Sequence, residues 1–433
     1  MATTPEPTES PRQERRRWRR TIAKGAGAAL LLMFALSLHW MTRPSQVAGL
    51  IFDRVGAALG LEISSSGASE YNLRGTPGLV VRGLVVRQPG AETPLLTAGR
   101  VYLSVPWSTL RAVGSDDAGA DLTVRRVELD APRLDLAALQ RWKDTRPPGG
   151  EIDIPTLTDG LRIARGEVVG EGWSIDRLSV DLPSLAPEEK LAARVGGRFV
   201  NGDTSVPLDL QVALTRPSLD AGLGAAGIAT VVTPDWRLPM QLHLSGRLHD
   251  GDDGFGLDDF RLGANARYLG GGQELPFVYG LAGPLRYHNG RFTIEPLGAM
   301  LRGDGVVPDF DAHGRLSWQH LLALRLDGVI QQWPSAWPTL PPPVGQSDSP
   351  LPFLLDYRGA TNLSGATALR LRRDATRFDA RFHLPRILHW LDQFATGAPL
   401  PPLDGTLVTP RLEISGATLE GVEIEFDDGG DAP

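Results

Sequence analysis

Gly222-Leu223-Gly224-Ala225-Ala226-Gly227 spells G-x-G-x-x-G, a spacing that in a dinucleotide fold lets the backbone approach a pyrophosphate at a helix N-terminus. Such a site needs a buried strand before the glycines and a helix after them. Here Arg216-Pro217-Ser218 precedes, and Ile228-Ala229-Thr230-Val231-Val232-Thr233-Pro234 follows, β-branched and closed by proline, so a glycine loop is expected instead. Asp250, Asp252 and Asp253 carry the carboxylates of a calcium loop. Yet Gly254 stands where an EF-hand places its third oxygen ligand, and no Glu fills the twelfth position, which leaves a solvated hairpin turn. The eight histidines, His39, His243, His249, His288, His313, His320, His383 and His389, show neither H-E-x-x-H nor H-x-H spacing. No G-x-S-x-G elbow occurs, and the chain has no cysteine for a thiolate nucleophile, a thiolate metal site or a disulfide. The residues therefore point to no catalytic set, no metal and no cofactor.

The elements that would position any site are strands. With 50 Gly and 35 Pro among 433 residues, the composition suits many short strands joined by tight turns. Apolar and polar side chains alternate in Leu208-Asp209-Leu210-Gln211-Val212-Ala213-Leu214, in Met240-Gln241-Leu242-His243-Leu244 and in Val422-Glu423-Ile424-Glu425-Phe426. Asn201-Gly202-Asp203, Asp250 to Gly254 and His288-Asn289-Gly290 fall between alternating segments as hairpin loops do. Beyond the N-terminal region, helices are expected only over Asp135 to Trp142, Trp318 to Leu324 and Pro385 to Ala395. In the last, Ile387, Leu388, Leu391 and Phe394 share one face. Three short helices cannot cover roughly 20 strands, so the sheet must cover itself, as one long sheet curled into an apolar groove or as tandem β-sandwiches. Stacked at about 4.8 Å per strand, such a gutter would reach on the order of 90 Å.

The N-terminus reads differently. Arg12, Arg15, Arg16, Arg17, Arg19, Arg20 and Lys24 precede an uncharged run from Gly25 to Thr42, flanked by Trp18 and Trp40. Extended back to Thr21, the run has the length of a membrane span and lacks an A-x-A-like cleavage site. The seven cations on its N-terminal side predict a cytoplasmic N-terminus with the rest of the chain outside. The net charge of −7 argues against a nucleic-acid partner. The expected organisation is a basic cytoplasmic tail over 1–20, a transmembrane anchor over 21–41 and a juxtamembrane amphipathic helix over 42–61. A β-groove over 62–332, a Pro-rich loop over 333–350, a C-terminal β part over 351–427 and an acidic tail over 428–433 complete it.

Two stretches carry a family resemblance. Leu95-Leu96-Thr97-Ala98-Gly99-Arg100-Val101-Tyr102-Leu103-Ser104-Val105-Pro106-Trp107-Ser108-Thr109-Leu110, followed by Val124 to Leu136, resembles the N-terminal region of AsmA-family envelope proteins. The tail from Leu403 to Leu407 and from Pro410 to Ile424 is similar to that family's C-terminal strands. The resemblance implies an all-β protein with one N-terminal transmembrane helix, anchored in a bacterial inner membrane, whose periplasmic sheet curls into a hydrophobic groove related to chorein-type lipid-transfer proteins. It implies phospholipid movement toward the outer membrane, with membrane lipids, the inner membrane and an outer-membrane or periplasmic protein as partners. A scaffold of envelope or secretion-machinery assembly without bound lipid is the alternative. Leu208, Leu210, Val212 and Leu214 on one strand, and Val422, Ile424 and Phe426 on the last, offer continuous apolar rows and are the expected lipid contacts.

Overall fold

From residue 62 onward the period-two alternation becomes strand. The computed structural model describes residues 56, 60–67, 70–72, 76–109, 123–145, 156–337, 340, 342, 344–347, 349–393, 401–414 and 417–427. The expected tail over 1–20, the span over 21–41, nearly all of the helix over 42–61 and the acidic tail over 428–433 lie outside them. Among the described residues no helix is long and apolar enough to cross a membrane.

Twenty-one strands form one sheet. Neighbours follow chain order from Gly78–Arg87 to Ala417–Phe426, and Glu62–Ser65 and Glu70–Asn72 both pair with Gly78–Arg87 at its outer edge. Every pairing in this sheet is antiparallel except Arg126–Asp135 with Leu161–Val169. A parallel pair needs a crossover, and helix α1, Leu136–Asp144, begins it. Asp135 caps α1 by accepting a hydrogen bond from the Ala138 amide at 2.8 Å. Elsewhere tight turns suffice: Asn289 and Gly290 adopt φ of 48° and 76°, the left-handed pair that a two-residue hairpin requires.

Three expectations are corrected. Trp318 to Leu324 is not a helix but the Gln319–Leu321 turn between strands Asp309–Trp318 and Leu322–Gln332, because Leu322, Leu324 and Leu326 alternate with polar or small residues and pair on both sides. The Gly222–Gly227 glycines open a strand, Gly222–Val232, and make no loop. There the missing side chain of Gly227 matters, since a Cβ would stand 2.2 Å from the Asp209 carbonyl oxygen on the next strand. Tandem sandwiches are excluded by the continuous ladder; the only second sheet among the described residues pairs Thr123–Val124 with Thr156–Leu157. Across the Pro-rich segment the sheet continues, with Leu322–Gln332 paired directly to Leu351–Gly359. The remaining expected helix is present as α2, Leu384–Gln393.

The sheet curls into a half-barrel. Strands Leu191–Asn201 and Leu351–Gly359 stand nine strand spacings apart, about 43 Å if the sheet were flat. Yet Thr361 Oγ1 donates to Asn201 Oδ1 at 3.2 Å and lies 3.2 Å from Thr204 Oγ1, and Trp236 Nε1 donates to the Asn362 carbonyl at 3.2 Å. Trp173 likewise meets Phe292, a strand seven spacings on, with ring centroids 6.1 Å apart. Ladder irregularities help the bend: they fall between Ser245 and Arg247, Leu257 and Phe260, Ala282 and Leu285, and Ile294 and Leu297, a row of bulges across four successive strands.

Alternation then assigns the faces. The concave face gathers Leu257, Phe260, Ile294, Leu297, Leu326, Ile330, Leu351, Phe353 and Leu371 into the main core. The convex face carries cross-strand ion pairs, among them Arg194–Asp209, Arg198–Asp176, Arg302–Asp311 and Arg370–Asp379. Hydrogen bonds from the arginines hold Asp176 and Asp209 below the usual carboxylate range. Exposed to solvent, such pairs add little to stability.

Candidate functional site

On the concave side of the C-terminal half, the curl encloses a cavity of about 750 Å³. Successive strands supply its wall through Tyr268, Phe277, Phe310, Phe353, Leu371 and Phe378. Each points inward because strand side chains on one face recur every second residue. Leu371 faces Phe378, Phe378 faces Leu407, and Leu407 faces Ile424 in direct register, so a single apolar row crosses four strands.

Two irregular segments close the space. Helix α2 leaves the end of Thr376–His383 and turns Ile387, Leu388 and buried Trp390 toward the cavity, while Arg386 and His389 stay exposed. This is the amphipathic division expected from the spacing, with Trp390 added; the side chains of Leu391 and Phe394 lie outside the described residues. From the other side comes the Pro-rich connection. Trp333 and Trp337 meet edge to face at 4.9 Å, Trp337 Nε1 donates to the Val306 carbonyl at 2.9 Å, and both rings line the cavity with Leu340.

Polar groups are few. Asn362, Arg372, Arg373, Thr376 and the Tyr268 hydroxyl interrupt the lining, and among the described residues no carboxylate contributes to it. Burial, with Asp235 behind it, raises the Tyr268 hydroxyl above the ordinary phenol range. The lining offers no nucleophile paired with a base, so its chemistry is that of apolar contact.

Of the seven expected lipid contacts, only Phe426 lines this cavity, with its ring edge-on to Phe378 at 6.1 Å. Val422 and Ile424 share its face, half-buried, farther along the edge strand. Leu208 and Leu210 pack beside Ala229, Leu242 and Ala264, while Val212 and Leu214 continue the same half-buried row outside the cavity. Sequence reasoning missed Trp333 and Trp337, because a proline-dense segment reads as a break and not as a wall. Their signal was the presence of two tryptophans in a stretch otherwise built for a turn.

The other sequence candidates are structurally occupied. Asp252 and Asp253 form the two-residue turn between Trp236–Gly251 and Gly254–Gly270. Asp253 is held by Arg286 Nε at 2.8 Å and His249 Nε2 at 2.6 Å, and these hydrogen bonds lower its carboxyl to about 2. Asp250 pairs with Lys143 of α1. Among the described residues no group of three His, Asp or Glu side chains is placed to hold a metal ion.

Fold and cavity together define a curled all-β half-barrel with an apolar concave face. No family model, no curated protein and no solved structure matches this chain. The resemblance to AsmA proteins rests on the two quoted stretches alone.

Proposed function

We propose that this protein is a non-enzymatic lipid carrier or conduit whose apolar concave groove holds acyl chains. The observation that carries the reading is the cavity: about 750 Å³, within the ~300–1,000 Å³ range of small-molecule sites, and walled by aromatic and aliphatic side chains with no carboxylate among the described residues. A space lined in this way favours an apolar occupant over water, because water needs two to four polar partners there and finds almost none. The half-buried rows at Leu208 to Leu214 and Val422 to Phe426 extend the apolar path beyond the cavity at both sides.

The hydrophobic run at 21–41, with its flanking cations, would tether the groove to an inner membrane and leave the sheet in the periplasm. The resemblance to AsmA proteins supports the direction of travel, phospholipid toward the outer membrane. The test is mass spectrometry of lipid extracted from the full chain purified in detergent, beside an unrelated single-span protein prepared identically. Lipid retained in excess of that control is expected. A chain no richer in lipid than the control would overturn the reading in favour of an assembly scaffold.

A further inference from the structure

We infer that the convex face carries a docking surface for an anionic lipid membrane, built on Arg315, Arg325, Arg358 and Arg381. These four residues line one shallow cavity of about 380 Å³, across the neighbouring strands from Asp309–Trp318 to Thr376–His383. All four are exposed. Arg315 stands directly opposite Arg325 in the ladder, a like-charge pair that destabilises a sheet unless an anion lies between them.

Carboxylates do not balance the group. Among the described residues Asp356 is the one acid lining the cavity, 3.6 Å from Arg325, and Asp404 faces Arg381 from the following strand. Elsewhere an Asp or Glu stands beside Arg133, Arg194, Arg198, Arg302 and Arg370, whereas among the described residues Arg315 and Arg358 form no ion pair. In a chain of net charge −7, four arginines around one dent are a local reversal of sign, and screening limits their reach to about 8 Å at physiological salt. The ligand must therefore touch the surface.

Two features favour a lipid surface over a soluble anion. Leu321, in the turn joining the first two of these strands, is 49% exposed and can enter the headgroup region beside the guanidiniums. Asn362, Leu363 and α2, which line the apolar cavity, leave from the same strand ends as that turn. A membrane held by the arginines thus lies beside the end of the cavity that α2 covers. The inference rests on the lipid-carrying reading for what the surface meets, and on separate residues for the contact itself.

The test uses the full chain reconstituted in phosphatidylcholine nanodiscs and mixed with vesicles of phosphatidylcholine alone or with 30% phosphatidylglycerol. Co-flotation with the anionic vesicles should exceed that with neutral ones at least tenfold and collapse between 0.05 and 0.5 M salt. Arg315→Gln with Arg358→Gln should lower it about tenfold while lipid retained per chain in detergent stays at the wild-type value. Should that variant fail to fold, Arg325→Gln with Arg381→Gln and the salt series on the wild type decide the matter. Equal binding to neutral vesicles, or undiminished binding by the folded variants, overturns the docking surface. Saturable binding of inorganic phosphate without vesicle preference also overturns it, in favour of a soluble anion. A chain that binds anionic vesicles but retains no lipid leaves the docking surface standing and removes the lipid-carrying reading.

Discussion

The N-terminal and C-terminal halves of the sheet share one alternating pattern and end in different packing states. Between Leu161 and Val232 the strands are 9 to 11 residues long, and the apolar row Leu208, Leu210, Val212 and Leu214 is half-buried. From Trp236 to His288 the strands lengthen to 16 or 17 residues and feed the main core, where Leu297 is 1% exposed. The C-terminal half also has covering segments, α2 and the Trp333–Trp337 connection. Alternation alone produces an apolar face. Enclosing that face takes length, curvature and something to lie across the opening.

The largest effect expected from this contrast is on stability. Leu297→Ala should cost about 2–5 kcal/mol, since a buried leucine leaves a cavity that its neighbours fill only in part. Leu210→Ala should cost roughly 1 kcal/mol, because its side chain already meets solvent. Urea unfolding of both variants measures the difference, and equal losses would erase the distinction between the halves.

The next effect separates groove from packed core. Leu210→Asp and Ile424→Asp place a carboxylate on half-buried rows, where it can reach solvent, so folding should survive with a loss below about 2 kcal/mol while retained lipid falls. Thermal melting beside lipid per chain reads both quantities. Variants that unfold would place these rows in a sealed interior; folded variants with wild-type lipid content would remove them from the lipid path.

A smaller effect tests the clasp that joins the halves. Thr361→Val removes the hydroxyl that reaches Asn201 and Thr204, and should cost about 0.5–1.5 kcal/mol. Faster hydrogen exchange at the turns around Gly202 and Ala360, with the core strands unchanged, is the local signature.

The smallest is a pH effect at the Asp252–Asp253 turn. Asp253 falls from an ordinary value of 3.8 to about 2 through its hydrogen bonds to Arg286 and His249. A depressed carboxyl stabilises the fold above its unfolded value, and that contribution disappears as pH drops from about 4 to about 2. Wild type should lose slightly more stability over that interval than Arg286→Gln, as read by melting temperature in a pH series.

Much of this was legible from residue types. Period-two alternation identified the strands, Asn-Gly and Asp-rich segments marked the turns, and the spacing of Ile387 and Leu388 identified α2 and its inward face. Trp318 to Leu324 misread as helix because its leucines suit either state when no partner strand is in view; pairing with Leu351–Gly359 settles it. The Gly222–Gly227 segment misread as a loop because glycine and alanine carry little intrinsic strand preference, and flanking ladders override that. The seven expected site residues lie in two half-buried rows, and of them only Phe426 lines the cavity. The row names the face, and the curl names the part of it that is enclosed.

The sequence by itself determined that the chain is a long run of strands with one apolar side, because side-chain direction in a strand is set by local backbone geometry. Only the tertiary structure decided that the run is one sheet, that bulges and the Thr361 clasp roll it, and that Trp333, Trp337 and α2 close a space over Phe378 and Phe426. These are contacts between residues tens or hundreds of positions apart. Which of them form depends on accumulated twist and bulge position across many strands, and no local pattern carries that sum.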